Sequence, residues 1–253
     1  MVLHLRWRAG IACSSVLGLM HTVFFIFLTS MPAASQEPRF PTLDRLPPGE
    51  LLATGGKGVL PQGFVLRPIY PDGLTLTKLS EGWVNHLYND AVGYCTIGYG
   101  HLIKKSKCSG TEPVEFSKGI DKKRGEEILT GDLASSEYAV MTMVKAKLSD
   151  GQYGALTDFV FNVGSANFRS STLLRVVNAN QLDRVSVQFH LWVVAGGKKL
   201  HALQQRRDRE VDLFFQGIPQ PKGVPQPGED LSPIDIRTGL PVASSAAPKA
   251  PSE

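Results

Sequence analysis

Apolar positions along this chain fall into three regimes. From Gly10 to about Met31 they form one uncharged run, densest at Val23-Phe24-Phe25-Ile26-Phe27-Leu28. Between about 69 and 217 they recur with helical or strand-like spacing. Elsewhere they are scattered among prolines and glycines. Within the periodic part, Leu74, Leu76 and Leu79 predict a short helix ending near Glu81. The stretch 83–105 breaks that spacing. Its Gly, Tyr, Thr and Ile content and the polar turn Asn89-Asp90-Ala91-Val92-Gly93 predict a small antiparallel hairpin. Asp121 predicts the cap of a long helix with a stripe through Leu129, Leu133, Val140, Met143, Val144 and Leu148. Leu156, Phe159, Val160 and Val163 follow i, i+3, i+4, i+7, and Gly164 can end their helix. Ser170 or Ser171 caps a helix through Leu174 and Val177. Two more stripes follow, one from Leu182 to Val193 and one from Leu200 to Phe214. One small sheet with several helices makes an α+β domain of segregated elements.

The flanks have their own logic. Residues 1–35 contain no acidic side chain; Arg6 and Arg8 precede the apolar run, and Pro32-Ala33-Ala34-Ser35 follows it. A charged start, an apolar middle and small residues at the end are the parts of a secretory signal. The run is also long enough to remain as a signal anchor in the inner membrane. Either reading places the rest of the chain outside the cytoplasm, in the periplasm or beyond. Residues 36–68 read as a Pro/Gly-rich linker. Residues 218–253 hold eight prolines without sustained period and read as a disordered tail. The folded domain is thus expected at 69–217.

Composition narrows the function. Apolar residues at 42% are too many for a wholly disordered chain. A single long apolar run is too few for a polytopic membrane protein. A net charge of +4, with no dense Lys/Arg face among interleaved aromatics, argues against a nucleic-acid partner. Of three cysteines, Cys13 lies in the N-terminal run, leaving Cys95 and Cys108 to pair in an oxidising compartment. His86, His190 and His201 are not spaced as a zinc site, and no cofactor or metal is expected. Nothing in the pattern calls for a second copy, so a monomer is expected.

Chemistry concentrates between Glu81 and His101. A carboxyl group, Glu81, ends a helix; a second, Asp90, sits nine residues on in a turn; a hydroxyl, Thr96, follows on the returning strand. Helix end, turn and strand can turn these three groups into one cleft. Glycoside hydrolysis needs such a pair, one acid for the leaving oxygen and one carboxylate for the opposite face of the sugar. Apolar Leu79 and Trp83 beside Glu81 suggest a desolvated acid, and the polar turn suggests an ionised Asp90. Two carboxylates at this spacing are, alone, weak support.

The surrounding letters add to it. Glu81-Gly82, Tyr88, Asp90, Gly93 and Thr96-Ile97-Gly98-Tyr99-Gly100-His101 resemble the active-site signature of the bacteriophage-type lysozymes, glycoside hydrolase family 24. Phe161-Asn162-Val163-Gly164, Ser171-Thr172-Leu173-Leu174-Arg175 and the stretch from Trp192 to Glu210 resemble later parts of the same family. The resemblance implies a lysozyme-like domain that cleaves the β-1,4 bond between N-acetylmuramic acid and N-acetylglucosamine in peptidoglycan strands. By motif position it makes Glu81 the general acid, with Asp90 and Thr96 assisting charge and water. Looser alignment puts Leu102, Phe161 and Ser171 along the cleft. A role in lysis, local wall opening for a secretion apparatus, a silent peptidoglycan-binding module and a lytic transglycosylase all remain open. The intact Glu81, Asp90 and Thr96 favour hydrolysis. Arg206 and Arg207 read as helix braces or as contacts to an anionic polymer.

Overall fold

The computed structural model of this chain describes residues 60, 63–90 and 93–242. The N-terminal signal or anchor segment, most of the linker and the last eleven residues lie outside the described residues. Among the described residues, no helix is long and apolar enough to cross a membrane.

The element order follows the sequence pattern closely. Helix α1 (Pro71–Glu81) runs into a three-stranded antiparallel sheet, β1 (Val84–Asn89), β2 (Cys95–Gly98) and β3 (His101–Lys104). A short 3-10 turn (Val114–Phe116) leads to the long helix α2 (Lys122–Met143). Then come α3 (Asp150–Val163), α4 (Ser165–Ser170), α5 (Thr172–Asn178) and α6 (Leu182–His190). The two-residue strands β4 (Val194–Ala195) and β5 (Lys198–Lys199) precede α7 (His201–Phe214). The predicted hairpin therefore carries a third strand. Its register pairs Tyr88 with Thr96 and Thr96 with Leu102.

Local chemistry sets the helix ends. The Asp121 carboxylate accepts from Arg124 N at 2.7 Å, satisfying a donor the first turn leaves open. Ser149 and Gln152 form a reciprocal capping box at the start of α3. At its other end Gly164 takes φ 86°, a conformation costly for any residue with a Cβ. Helices α1 and α3 cross where Gly73 faces Gly154; a Cβ on Gly73 would come 2.9 Å from the Gly154 Cα.

The main core gathers around Phe159 of α3. Rings of Phe189 and Trp192 stand edge-on to it at 5.3 and 5.4 Å. A smaller cluster, Tyr99, Leu129 and Leu133 with Trp83 and Phe161 packed on it, joins the sheet to the helices. The His101 ring meets Asp132 of α2 at 2.7 Å, so this histidine braces β3 against the long helix.

Both flanks reach further into the fold than the pattern suggested. Phe64 stacks edge-on against Tyr138 at 4.6 Å, and the Tyr153 hydroxyl donates to the Arg67 carbonyl at 2.8 Å. The segment expected as a disordered tail is a strap from 218 to 242 that packs on the domain. Ile234 and Ile236 lie against the main core. Ile236 N donates to Val194 O at 2.9 Å, Asn167 donates to Ile236 O at 2.9 Å, and Glu229 pairs with the nearly buried Arg184. The prolines suppress helical period without preventing burial, since single apolar residues between turns carry the packing.

Candidate active site

Glu81 is the last residue of α1, and its carboxylate stands at the seam between helices and sheet. Arg206 of α7 donates to Glu81 Oε1 from Nη1 at 2.7 Å. On the other side, a Cβ at Gly100 would lie 3.6 Å from Glu81 Oε2, so the β2–β3 turn comes up against the acid. Leu79 points outward at 64% exposure, which corrects the expectation of an apolar pocket around Glu81. A residue two positions away on a helix lies about 200° round the axis and cannot share its neighbour's surroundings. Trp83 is half-buried and packs on Tyr99 at 4.8 Å and against Gly125.

Behind Glu81 lies a buried ionic cluster. Asp158, fully buried, accepts from Arg206 Nε and Nη2, both at 2.9 Å. Arg207, also fully buried, donates to Glu210 at 2.7 Å and to Asn162 at 2.9 Å. Burial pushes the Asp158 carboxyl up, but the Arg206 charge and hydrogen bonds outweigh it and hold Asp158 below the usual carboxylate range. Burial lifts Glu210 well above that range, and Arg207 opposes the rise. The reading of Arg206 and Arg207 as braces holds for both. What it missed is that the Arg206 brace ends on the candidate acid. The i, i+3 and i, i+4 spacing of Arg207 and Arg206 to Glu210 was legible; partners on α1 and α3 were not.

Asp90 closes the turn after β1. Its Oδ1 accepts from Tyr94 N at 2.8 Å, and its own N–H donates to Tyr94 O at 2.9 Å. Thr96 is buried on β2, and its hydroxyl donates to Tyr94 O at 3.1 Å, which leaves oxygen lone pairs available. Directly paired residues of antiparallel strands share a face, so Tyr88, Thr96 and Leu102 form one row across the sheet. The Tyr88 hydroxyl is pushed up, first by burial and then by the charges of Asp90 and Glu81. One side chain thus senses both carboxylates.

The Cys95–Cys108 disulfide fastens this sheet from behind. Cys95 N donates to Ser106 O at 2.8 Å and Cys108 N to Asn89 Oδ1 at 2.8 Å, so the loop after β3 holds the neighbours of Thr96 and of Asp90. Among the described residues, the one grouping of acidic, cysteine or histidine donors close enough for a cation is Cys95, Cys108 and Glu112. There the sulfurs are bonded to each other, and Lys104 first, then the Ser109 backbone N–H, hold the Glu112 carboxyl at about 2.

Of the looser candidates, Leu102 lies in the row just described. Phe161 is half-buried and packs on the smaller cluster beside Trp83. Ser171 is buried, accepts from Leu174 N at 3.0 Å and donates to Phe168 O at 2.7 Å. Its hydroxyl caps α5, as the sequence also predicted for Ser170 or Ser171.

The phage lysozyme family matches residues 78–210, more than half of the chain. The chain belongs to the phage lysozyme family. It is 36% identical over 147 residues to the endolysin of Salmonella phage P22, covering 58% of this chain and 97% of that protein. It is 31% identical over 164 residues to the SAR-endolysin of Bacteriophage PS119, covering 65% and 90%. A P22 lysozyme mutant of known structure superposes with a TM-score of 0.51 at 32% identity, over 59% of this chain and 99% of that one. As a phage lysozyme, the chain is a glycoside hydrolase of the muramidase type. The matched region ends at Glu210 of α7, so the strap from 218 to 242 lies outside it.

Proposed function

We propose that this phage lysozyme is exported and hydrolyses the glycan of peptidoglycan with Glu81 as general acid and Asp90 and Thr96 on the water side. The observation that carries the reading is the placement of Glu81. It ends α1 at the edge of the sheet that carries Asp90 and Thr96, with Arg206 fixing one carboxylate oxygen and leaving Oε2 toward Gly100. In this reading the protonated Glu81 gives its proton to the glycosidic oxygen as the C1–O bond breaks. Asp90 supports the positive charge growing at C1 and receives the proton of the attacking water. Thr96 accepts a hydrogen bond from that water through its free lone pairs, at a floor sheltered from bulk solvent. Tyr88, whose hydroxyl feels the charge of both carboxylates, stands in the same row of the sheet as Thr96.

The test is a turbidity assay on purified peptidoglycan. A positioned general acid contributes about 10²–10⁴-fold, and a carboxamide has no acidic proton to give. Glu81→Gln therefore leaves the fold intact and removes measurable clearing. Substantial clearing by Glu81→Gln takes the acid role away from Glu81. Product mass separates hydrolysis from transglycosylation, because an anhydro product is lighter by one water.

Export rests on the charged and apolar N-terminal segment, with a small-residue site at Pro32-Ala33-Ala34-Ser35. The likeness to a SAR-endolysin over 65% of the chain is consistent with wall-directed delivery. N-terminal sequencing of natively exported protein is expected to begin near Gln36. An intact Met1 in the membrane fraction would establish an anchor instead.

A further inference from the structure

A general acid needs its proton until the glycosidic bond breaks. The Arg206 guanidinium, 2.7 Å from Glu81 Oε1, works against that. An opposite charge this close lowers a carboxyl by about 1–3 pH units when nothing offsets it. Arginine cannot relieve the conflict by giving up its own proton. A second negative charge beside the guanidinium can, and α3 supplies one.

Asp158 is fully buried and takes Arg206 Nε and Nη2, both at 2.9 Å. Such a fork fixes the plane of the guanidinium. The third nitrogen, Nη1, is then aimed at Glu81 Oε1. In a carboxylic acid the carbonyl oxygen is the better acceptor. With Oε1 taking the N–H, the proton belongs on Oε2, the oxygen beside Gly100. Burial lifts the Asp158 carboxyl, and Arg206, Glu210 and Thr77 together hold it below its ordinary range. Thr77 is itself fully buried and lies one turn before Glu81 on the same face of α1.

Other charges around Glu81 have partners of their own. Lys78 of α1 pairs with Glu126 of α2, His101 beyond the Gly100 turn with Asp132, and Arg207 of α7 with Glu210. Tyr88 of β1 is held neutral, first by burial and then by the charges of Asp90 and Glu81. Glu210 lies 3.8 Å from Arg206, and burial lifts its carboxyl. Asp158 is therefore the firm negative charge set against Arg206 from behind the acid.

We propose that Asp158 is a positioning residue for the general acid: by taking two nitrogens of Arg206 it aims the third at Glu81 and offsets the guanidinium charge, so that Glu81 keeps its proton on Oε2. The role rests on Glu81 being the acid and adds what keeps that acid loaded.

The experiment is a pH profile of kcat and KM on soluble peptidoglycan oligomers, for the full chain and its Asp158→Asn and Glu210→Gln variants. Far-UV circular dichroism checks the fold at each pH. In the proposed reading the high-pH limb of kcat follows loss of the acid's proton. Asp158→Asn is expected to move that limb about one pH unit lower, with KM nearly unchanged. The variant then loses about tenfold in kcat above the native limb and little well below it. Glu210→Gln is expected to move the limb by less than about half as much, since its partner is Arg207. Carbon-13 NMR of the native chain is expected to show Asp158 ionised throughout the active range, a result that needs no variant to fold. An unmoved limb in folded Asp158→Asn, a loss equal at every pH, an equal displacement in Glu210→Gln, or a protonated Asp158 in the active native chain overturns the role. Clearing of peptidoglycan by Glu81→Gln would remove the acid itself. An inactive Glu81→Gln beside an unmoved limb in Asp158→Asn removes only the part given to Asp158.

Discussion

Asp158→Asn offers the sharpest physical test of the cluster behind the candidate acid. Asp158 is fully buried and takes both of its short contacts from one guanidinium, Arg206 Nε and Nη2, in a parallel fork. Asparagine keeps the shape and one acceptor. It loses the charge, and its amide nitrogen faces the guanidinium where an oxygen stood. Removing one partner of a buried ion pair costs about 3–5 kcal/mol, because the other charge stays buried without compensation. Here the loss is softened, since Arg206 still holds Glu81 and lies 3.8 Å from Glu210. About 3 kcal/mol is therefore expected. For a domain of this size, 1 kcal/mol moves the melting temperature by about 2–4 °C, so the shift should be on the order of 6–12 °C downward.

The assay is chemical denaturation followed by tryptophan fluorescence and by far-UV circular dichroism, whose coincidence checks two-state behaviour. Arg206→Gln and the double variant Asp158→Asn, Arg206→Gln complete a double-mutant cycle. The double variant is expected to be less destabilised than the sum of the singles, because no lone charge remains between positions 158 and 206. A single-variant cost below about 1 kcal/mol, or strict additivity in the cycle, would refute the claim that Asp158 is the chief partner of Arg206.

Three further outcomes follow from the same geometry. Reduction of Cys95–Cys108, which closes a loop of sequence separation 13, should lower stability by about 3 kcal/mol, and two free thiols in natively exported protein would contradict the pairing. Glu137 is buried beside the entry segment, where burial raises its carboxyl to about 7 against an ordinary 4.5 and the Ile69 N–H only partly offsets the rise. A raised folded value means that stability is fully present below about pH 4.5 and is lost as pH rises through about 7. Glu137→Gln should therefore stabilise by about 2 kcal/mol at pH 8 and make little difference at pH 4.5, and a thermal-melt series across that range reads the crossover. Ending the chain at residue 217 strips Glu229 from the nearly buried Arg184 and uncovers the core under Ile234 and Ile236. A loss of about 2–4 kcal/mol is expected, and an unchanged denaturation midpoint would show the strap to be dispensable.

What the sequence could and could not show divides along a physical line. Helix ends written in short-range chemistry were legible: Asp121, Gly164 and Ser171 each act on backbone groups within four residues. Ser171, one of two serines the sequence offered as the cap of α5, is the one that takes the role. The row Tyr88, Thr96, Leu102 was hidden because its register is set by a bulge in each strand pairing, and a one-residue slip would turn those side chains to the other face. The pairing of Arg206 with Glu81 spans 125 residues, and no periodicity encodes a contact at that distance. The strap failed as a sequence reading for the opposite reason: a segment without period was taken to lack burial. Ile234 and Ile236 show that two side chains and a few backbone hydrogen bonds to Val194 and Asn167 suffice when the rest of the domain is already folded. The chain then orders only short pieces against a preformed surface, and the entropy cost is met piece by piece.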